Sequence, residues 1–581
     1  MSRPEWLHPS ELRVGLGCMR MSTDEDRNEE LALETIAAAA AAGVTVFDTA
    51  HAYGRDESEL GHNERLLARA LRRSGAGRRA RIVTKGGMAR AGGAWLPDGR
   101  AKTIRRDCEA SLAALDGLEI DLYLIHAPDP RRPWRTALRA LARLIDQGLV
   151  KRVGVSNVNR GQLDEALELA PISAVQVALS VLDDRALRGG VVGRCAESGL
   201  ALIAHSPLGG PRRVKGLGRQ EALAAVAEAR GVTPAEAALA WLLDLAPGVV
   251  AIPGATRPET ARASALAAAL DLDEGERTEL ARAFGSLRPA ERALPAADGE
   301  VILVMGIPGA GKSRVAEDYV ARGYVRLNRD ERGGSLRDLA DALDAELASG
   351  ARSAVLDNTY LTRAARSHVI ETAGRHGLPV RCLWLDTPLA QAQVNLVERL
   401  LERLGSLPDP EELRALARRG DGVLTPTSQM RALRELEPPS ADEGWASVER
   451  LPFARSSRRR TGKAGVFVAA AALDQSGWRE AVQGADCDAP HLVFDWQPGG
   501  APGALAEAAA TLASEVTGGV ESALCPHGAG PPVCWCRPPL PGLALAFARS
   551  HEIDPSRSIL IGARPAHRQL AEAVGARYVN V

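Results

Sequence analysis

The sequence lacks any apolar run long enough to cross a membrane, and its longest alanine runs are broken by Gly43 or by polar residues. Its opening stretch, MSRPEWLHPSEL, lacks the apolar core of a secretory signal peptide. An excess of one charge is also missing, because the formal net charge is −1. The overall charge therefore does not indicate a nucleic-acid partner, although a local patch could still serve one. We expect a cytoplasmic protein without a membrane partner.

Cysteine is sparse and unevenly distributed. The chain has eight cysteines, of which three fall close together at Cys525, Cys534 and Cys536 while the others are scattered. This distribution favours a reducing compartment and one metal cluster over a framework of disulfides.

The 581 residues suffice for several domains, and we predict three α/β domains. Short apolar strands alternate eight times with amphipathic stretches from residue 12 to about 285, which predicts a (β/α)8 TIM barrel. A second, nucleotide-binding layout of P-loop NTPase type begins at the strand VILVM, and a third, Rossmann-like unit ends the chain. The predicted boundaries are 1–285 for the barrel, 286–299 for a linker, 300–453 for the second domain, 454–462 for a basic linker and 463–581 for the third domain.

Four chemically active side chains follow successive strands of the predicted barrel: Asp48, Tyr53, Lys85 and His126. A tyrosine is a weak acid at neutral pH unless a neighbouring cation stabilises its anion. Lysine can supply that charge, and an aspartate can hold the lysine in place. Together with a histidine that hydrogen-bonds a substrate oxygen, these residues predict an active site for carbonyl reduction.

The segments FDTAHAYG, TK, LIHAPD, GVSN and IPGA resemble the aldo-keto reductase family over nearly all of residues 12–285. The resemblance implies a small carbonyl substrate and NADPH or NADH as hydride donor. It also implies Tyr53 as the acid, Lys85 and Asp48 as the residues that tune it, and His126 as the residue that orients the substrate. The implied cofactor-binding residues are Ser156, Asn157, Gln176, His205, Ser206, Arg257 and Arg262.

Two positions depart from the family pattern. His205 replaces the tyrosine on which the nicotinamide usually stacks. In IPGATRPETARAS, Gly254 and Ala255 replace two residues that usually serve the 2′-phosphate of NADP, while Arg257 and Arg262 remain as candidates. Both arginines can equally be read as exposed residues at the start of a helix, so NADP is only modestly preferred over NAD.

The stretch GIPGAGKS lies between a predicted strand and a predicted helix, which is the context of a phosphate-binding P-loop. Gly306, Gly309 and Gly311 would let backbone N–H groups approach the phosphates of ATP closely. Lys312 would reach the β- and γ-phosphates, and Ser313 would hold Mg²⁺.

The P-loop, NRD, DNT and the stretch QMRALRELEPPSADEGWASVERLPF resemble the kinase domain of polynucleotide kinase-phosphatases, over about residues 300–453. The resemblance implies phosphate transfer from ATP to a 5′-hydroxyl end of DNA or RNA, with Asp330 as general base and Asp357 in the nucleotide site. Arg399 or Arg403 could meet the transferring phosphate, or both could lie on an exposed helix face. A small-molecule kinase also remains open.

The third domain contains Cys525, His527, Cys534 and Cys536 within twelve residues, a spacing typical of a four-ligand Zn²⁺ site. The cluster resembles the zinc loop of phosphatases of the haloacid dehalogenase class. Alanine stands at Ala469, Ala471 and Ala563, where that class carries its catalytic and metal-binding acids, and Asp495 takes the place of a threonine. The resemblance therefore implies a module without hydrolytic activity, because alanine has no oxygen to accept a phosphoryl group.

These features predict a bifunctional enzyme, a carbonyl reductase joined to a 5′-hydroxyl polynucleotide kinase in nucleic acid repair or processing. A separate partner would then supply 3′-phosphatase or ligase activity. Two alternatives remain from the sequence. One is a metabolic fusion with a small-molecule kinase. The other is a barrel that senses NAD(P)H and regulates the kinase.

Overall fold

The computed structural model describes residues 6–287, 299–419, 422–453, 462–501 and 503–581. The chain forms two compact units, Met1–Pro289 and Ala290–Val581. Most of the first predicted linker and all but the last residue of the second lie outside the described residues. Within the described ranges, no helix is long and apolar enough to span a bilayer.

The first unit contains an eight-stranded parallel sheet in the order β1-β2-β3-β6-β7-β8-β9-β10. A parallel bridge between Val14 and Ala251 joins the two ends of this sheet, so the predicted barrel is confirmed. A two-stranded antiparallel hairpin, β4–β5, projects between β3 and the next helix. The strands are β1 Leu16–Gly17, β2 Val46–Asp48, β3 Arg81–Gly86, β4 Met88–Ala91, β5 Ala94–Pro97, β6 Ile120–Ile125, β7 Val153–Ser156, β8 Ile172–Ala178, β9 Ala201–His205 and β10 Val249–Ile252.

Helices surround the barrel and bury the outward faces of its strands. Several begin with strong caps. Thr233 and Glu236, for example, form a reciprocal capping box at the start of the helix that begins at Pro234. The helices are α1 Arg20–Thr23, α2 Glu29–Ala41, α3 His62–Arg73, α4 Ala101–Leu115, α5 Trp134–Asp146, α6 Arg160–Leu169, α7 Arg185–Arg188, α8 Val191–Glu197, α9 Glu221–Arg230, α10 Pro234–Asp244, α11 Pro258–Ala267 and α12 Glu274–Phe284.

The two-residue period of the strands determines which side chains enter the barrel. Val46, Val83 and Leu124 pack in the apolar interior cluster. Each lies two residues before Asp48, Lys85 or His126, so these three polar side chains continue the same inward face at its upper end.

The second unit opens with a five-stranded parallel sheet in the order β12-β13-β11-β14-β15. Its central strand leads directly into the P-loop. The strands are β11 Glu300–Met305, β12 Val325–Leu327, β13 Ser353–Asp357, β14 Val380–Asp386 and β15 Ser447–Pro452. The helices are α13 Lys312–Val320, α14 Arg329–Arg332, α15 Leu336–Ala348, α16 Arg363–Arg375, α17 Leu389–Leu404, α18 Pro410–Arg418 and α19 Pro426–Glu435.

A second five-stranded parallel sheet, in the order β18-β17-β16-β19-β20, forms the C-terminal module. This order, with the first strand central, agrees with the predicted Rossmann-like layout. The strands are β16 Val466–Ala469, β17 His491–Trp496, β18 Val520–Cys525, β19 Ile559–Gly562 and β20 Arg577–Asn580. The helices are α20 Trp478–Gln483, α21 Ala506–Ala513, α22 Gly542–Ser550 and α23 Pro565–Val574.

Helix α17 joins the two sheets of the second unit. Its apolar residues, including Val397 and Leu401, share one buried cluster with Phe467 and Phe547 of the C-terminal module. The Gln391 side chain also donates a hydrogen bond of 3.0 Å to the carbonyl oxygen of Ala573. The C-terminal module is thus packed against the P-loop part through a continuous hydrophobic core.

A buried ion pair fixes helix α16. The Arg366 guanidinium is fully buried and binds both carboxylate oxygens of Glu443 at 2.7 and 2.8 Å. We expect Arg366→Ala to lower the free energy of unfolding of the second unit by about 3–5 kcal/mol, because it leaves the Glu443 carboxylate buried without its partner. Urea denaturation, monitored by hydrogen exchange of peptides from β11 and β13, measures this loss of free energy.

The matched control is Arg375→Ala on the same helix. Arg375 is largely exposed and pairs with the exposed Asp344, so its removal should cost only about 0–1 kcal/mol. Equal effects of the two substitutions would contradict the structural role assigned to Arg366.

Candidate active sites

The barrel brings together the four predicted catalytic residues, Asp48, Tyr53, Lys85 and His126, which we call the tetrad. Lys85 Nζ lies 2.8 Å from each carboxylate oxygen of Asp48, 2.8 Å from the carbonyl oxygen of Thr49 and 3.1 Å from the Tyr53 hydroxyl. Asp48 ends β2, Lys85 lies in β3, and Tyr53 follows β2 in the next loop. Both members of the Lys85–Asp48 pair are almost wholly buried. The ammonium is therefore held in position against the phenol by an ion pair that water does not reach.

The charges of the pair act on Tyr53. Burial raises the pKa of the Tyr53 phenol above its ordinary value, and the nearby Lys85 charge opposes this rise. Burial also opposes the charge on Lys85, but Asp48 and Tyr53 outweigh it and raise the pKa of the ammonium. Tyr53 is thus a protonated phenol beside a permanent cation, the arrangement needed to donate a proton and stabilise the resulting phenolate.

His126 follows β6 and faces Tyr53, with 5.7 Å between the ring centroids. Burial, reinforced by the Lys85 charge, lowers the pKa of His126 well below its ordinary value. Its imidazole is therefore neutral at physiological pH. Its buried Nδ1 atom has no hydrogen-bond partner among the described residues.

Two residues of the site were missed by the sequence prediction. Trp95, on the β4–β5 hairpin, lies 6.0 Å from the Tyr53 ring and 5.9 Å from the His126 ring, measured between centroids. The Arg90 guanidinium stacks 3.8 Å from the centre of the Trp95 ring. The hairpin thus forms an aromatic wall beside the tetrad. Only the alternation in MARAGGAWLP around a Gly-Gly turn could have indicated it.

The predicted nicotinamide-binding residues form a hydrogen-bonded chain across the barrel mouth. The Gln176 amide donates to Asp48 Oδ1 at 2.7 Å. The Asn157 amide donates to the carbonyl oxygen of His126 at 2.9 Å, and its Oδ1 lies 3.1 Å from His205 Nε2. Ser156 ends β7 and Ser206 follows β9. Burial, with help from Lys85, lowers the pKa of His205 to about 4, so this ring is also neutral.

Positive charge collects at two places near the mouth of the barrel. Arg257 and Arg262 are exposed at the beginning of α11. This position agrees both with binding of a 2′-phosphate and with a role as ordinary exposed residues at a helix start. A second group, which the sequence prediction missed, lines a cleft of about 410 Å³ after β9 and includes Arg212, Arg213 and Lys215. The run PRRVKGLGR, which begins at Pro211 in the loop after β9, was the available signal.

The P-loop has the predicted glycine geometry. Gly306 and Gly309 have φ values of 153° and 85°, which favour glycine. A Cβ atom on Gly309 would lie 2.3 Å from the carbonyl oxygen of Ala392, and one on Gly306 would lie 2.8 Å from that of Leu385. Gly311, with φ of 96°, precedes α13. The loop therefore packs so closely against α17 and β14 that side chains at Gly306 and Gly309 are excluded.

Side chains from neighbouring elements hold the P-loop in place. Asn395 of α17 donates to the carbonyl oxygen of Gly309 at 2.8 Å, and the buried Gln429 of α19 donates to that of Pro308 at 3.0 Å. Thr387 donates to the carbonyl oxygen of Ala310 at 3.0 Å. These bonds fix the carbonyl groups of the loop, and the N–H groups of Gly306 and Ala310 donate to the carbonyl oxygens of Thr359 and Ile307.

Lys312 and Ser313 begin α13, at its positive end. Lys312 Nζ lies 3.1 Å from the carbonyl oxygens of both Gly306 and Ile307. Burial lowers the pKa of the Lys312 ammonium to about 8, and the charges of Asp357, Arg399 and Asp330 also act on it. The two carboxylates favour the charged form of Lys312, whereas Arg399 opposes it.

Asp330 and Asp357 have different surroundings. Asp357, at the end of β13, is buried and accepts two hydrogen bonds from Arg326, at 3.0 and 2.7 Å. Asp330 is exposed in the first turn of α14, where its N–H donates to the Asn328 side chain at 2.7 Å. A cleft of about 390 Å³ opens beside Asp330 and is also lined by Arg399 and Arg403. The predicted base and both candidate arginines thus share one cleft.

The four predicted metal ligands of the C-terminal module converge. Their ligand atoms all lie within 4.8 Å of one another. Cys525 Sγ is 3.7 Å from Cys534 Sγ and 3.3 Å from Cys536 Sγ, and Cys536 Sγ is 3.2 Å from His527 Nδ1. Sulfurs on a tetrahedral zinc ion at the usual Zn–S distance of about 2.3 Å would be separated by about 3.8 Å. The residues fit a zinc ion.

The carboxyl edge of the C-terminal sheet has few acids. Ala469 is the last residue of the central strand β16, Ala471 follows in a short 3₁₀ turn over Ala470–Ala472, and Ala563 follows β19. Asp495, near the end of β17, accepts hydrogen bonds from the Trp496 backbone and from Gln497 at 2.8 and 3.1 Å.

Comparison with known proteins agrees with this geometry. Residues 13–283 match the model of the "Aldo/keto reductase family", and residues 301–419 match that of an "AAA domain". The chain is 30% identical over 300 residues to "Probable aldo-keto reductase 1" of Glycine max, which covers 46% of this chain and 84% of that relative. The chain therefore belongs to the aldo/keto reductase family through its barrel. The barrel is an oxidoreductase domain. The chain also carries a kinase-like P-loop module.

Two solved structures of aldo-keto reductases are similar in sequence to part of this chain. The thermostable aldo-keto reductase Tm1743, bound to the inhibitor epalrestat, is 32% identical and matches 49% of this chain and 100% of its own, with a TM-score of 0.41. An aldo/keto reductase from Klebsiella pneumoniae bound to NADP and acetate is 26% identical and matches 47% of this chain and 92% of its own, with a TM-score of 0.41.

The packing of the P-loop yields a test. We expect Gly309→Ala to weaken ATP binding at least tenfold, because the new Cβ would meet the Ala392 carbonyl and push the loop away from α17. Isothermal titration with Mg²⁺-ATP measures the affinity. The control is Gly323→Ala, which has a similar φ of 91° but nothing within 4 Å of the added Cβ. A Gly309→Ala variant with unchanged affinity would contradict the assigned site.

Proposed function

We propose that the chain is a bifunctional enzyme, an NADPH-dependent carbonyl reductase joined to an ATP-dependent kinase for the 5′-hydroxyl end of a polynucleotide. The observation that carries the first activity is the buried Lys85–Asp48 pair in contact with Tyr53. The observation that carries the second is the cleft in which Asp330 lies beside Arg399 and Arg403, next to the P-loop.

For the reductase, the chain's cationic groups fit a cofactor that carries phosphates. Arg212, Arg213 and Lys215 form the basic cleft after β9, and Arg257 and Arg262 are available for a 2′-phosphate. The similar protein from Klebsiella pneumoniae binds NADP. When bound, NADPH would supply the hydride. Ser156, Asn157, Gln176, His205 and Ser206 would hold its nicotinamide end.

Residues of the chain itself would transfer the proton to the substrate. Neutral His126 can donate an N–H to the carbonyl oxygen of the substrate, which orients it toward Tyr53. Tyr53 would then give its hydroxyl proton to that oxygen, and the Lys85 ammonium at 3.1 Å would stabilise the phenolate. Trp95 and the buried barrel mouth would exclude water from this transfer.

Tyr53→Phe tests the reductase. We expect it to lower kcat for reduction of a small aldehyde by at least about 100-fold, because the general acid is lost while the ring is kept. NADPH oxidation at 340 nm measures the rate, and fluorescence quenching by NADPH checks cofactor binding. Tyr123→Phe, which removes the hydroxyl of another buried barrel tyrosine, should retain activity. Similar rates in both variants would contradict the role of Tyr53.

For the kinase, each step has a candidate group. Lys312 and the P-loop would hold the phosphates of ATP, and Ser313 would hold Mg²⁺, which would neutralise the charge on the transferred phosphate. Asp330 would accept the proton of the 5′-hydroxyl group. Arg399 or Arg403 would contact the transferring phosphoryl group or the acceptor backbone.

For the C-terminal module, we infer a structural zinc ion held by Cys525, His527, Cys534 and Cys536, and no phosphatase activity. Alanine at Ala469, Ala471 and Ala563 supports this inference, because none can form a phosphoenzyme or bind Mg²⁺. End repair would then require a separate partner for 3′-phosphate removal or ligation.

Phosphate transfer from γ-labelled ATP tests the kinase. We expect labelling of 5′-hydroxyl RNA or DNA oligonucleotides that falls at least about 100-fold in Lys312→Ala and Asp330→Ala. Oligonucleotides that already carry a 5′-phosphate are the acceptor control and should remain unlabelled. ATP binding without labelling of either nucleic acid would contradict the polynucleotide kinase and favour a small-molecule acceptor.

A further inference from the structure

The cleft beside Asp330 is built from two modules. Asp330, Arg399 and Arg403 come from the P-loop part, as do Val423 and Leu424 of the segment between α18 and α19. One wall residue, Trp535, comes from the C-terminal module. It lies between two of the predicted metal ligands, Cys534 and Cys536.

Trp535 contacts the cleft in two ways, by a hydrogen bond from its indole N–H and by apolar packing of its ring. Its indole Nε1 donates a hydrogen bond of 3.0 Å to the carbonyl oxygen of Leu424. Its ring is only 3% exposed and packs in the cluster that contains Leu396, Leu400 and Val423. The ring is therefore too buried to offer a whole face to a ligand, and its contribution to the cleft is to fix the neighbouring segment.

The metal ligands fix Trp535 in turn. Between the end of β18 at Cys525 and the beginning of α22 at Gly542, the described backbone has no helix or strand. Such a segment has few backbone hydrogen bonds of its own, so closure of the Cys525–Cys536 loop by a metal ion would supply much of its order. Trp535 lies inside that closed loop.

We propose that Trp535 is a positioning residue for the phosphate acceptor, and that metal binding at the four-ligand cluster is what holds it in that position. The proposal rests on the kinase function proposed above. It assigns the C-terminal module a task in which it performs no chemistry. The metal orders Trp535, Trp535 orders the segment 422–424, and that segment lines the same cleft as Asp330 and the arginines.

The nucleotide site is held largely by other contacts. Asn395 and Thr387 bind the P-loop carbonyls directly, and neither belongs to the C-terminal module or to residues 422–436. Loss of the Trp535 contact should therefore weaken acceptor binding while ATP binding changes little. This separation distinguishes positioning of the acceptor from a general loss of stability.

The first experiment uses the full-length chain with Trp535→Phe, which keeps the apolar ring but loses the donor to Leu424. We expect KM for the acceptor oligonucleotide to rise about fivefold, as for loss of one hydrogen bond, with kcat and KM for ATP within twofold. Trp535→Ala should raise it further. The control is Trp478→Phe, a buried tryptophan of the same module that packs in a separate cluster and should have no effect.

The second experiment removes the metal. The protein is treated with a chelator, its zinc content is measured, and Zn²⁺ alone is added back. Hydrogen exchange in peptides that cover residues 422–436 should increase after removal and return with Zn²⁺. Exchange in the P-loop, residues 306–312, should stay within twofold. Trp535→Ala should show the increase at 422–436 even with zinc bound.

The outcomes separate the two proposals. Unchanged exchange at 422–436 in both the zinc-free protein and Trp535→Ala overturns the positioning role, whatever the acceptor is. Increased exchange without any labelling of oligonucleotides by the wild-type protein supports the coupling and overturns the polynucleotide acceptor. Equal increases in KM for ATP and for the oligonucleotide overturn the positioning role in favour of a merely structural one.

Discussion

The direction of the strands is the constraint on which the rest of the protein depends. All three large sheets are parallel, so within each sheet the carboxyl ends of neighbouring strands meet at one edge. In the barrel this edge gathers Asp48, Lys85 and His126. In the P-loop sheet it gathers the phosphate loop and Asp357. The polar groups of these two candidate sites are therefore brought together from residues far apart in sequence by the alignment of strands.

Helix α17 shows how packing and chemistry are shared on one element. Its buried face forms a common core with the C-terminal module, Asn395 holds the P-loop, and Arg399 and Arg403 line the cleft. In a kinase, a helix with such arginines would have to stay close to the transferring phosphate. Here the apolar face of α17 packs against the C-terminal module. The position of the arginines in the cleft therefore depends on a module that contributes no acid or base to the cleft.

The sequence predicted the parts of the fold that have strong local patterns. The eight barrel strands, the tetrad, the P-loop and the four convergent metal ligands could be predicted, because each combines an apolar strand with a distinctive polar ending or spacing. The edge strand β15 was missed, since most of its residues are exposed and carry no buried pattern. Trp95 and Trp535 were missed for another reason. The hairpin that carries Trp95 could have been predicted from its alternation, but the contacts of Trp95 with Tyr53 and His126, like that of Trp535 with Leu424, join residues far apart in sequence.

The alanines at the carboxyl edge of the C-terminal sheet limit the chemistry that this edge could acquire. Ala469 is buried and packs in the same core cluster as Phe467 and Phe494. A carboxylate introduced at Ala469 would therefore be buried among apolar side chains, which is costly unless a partner pairs with its charge. A new acidic site at this edge would thus require several substitutions made together, because the first alone would only destabilise the module.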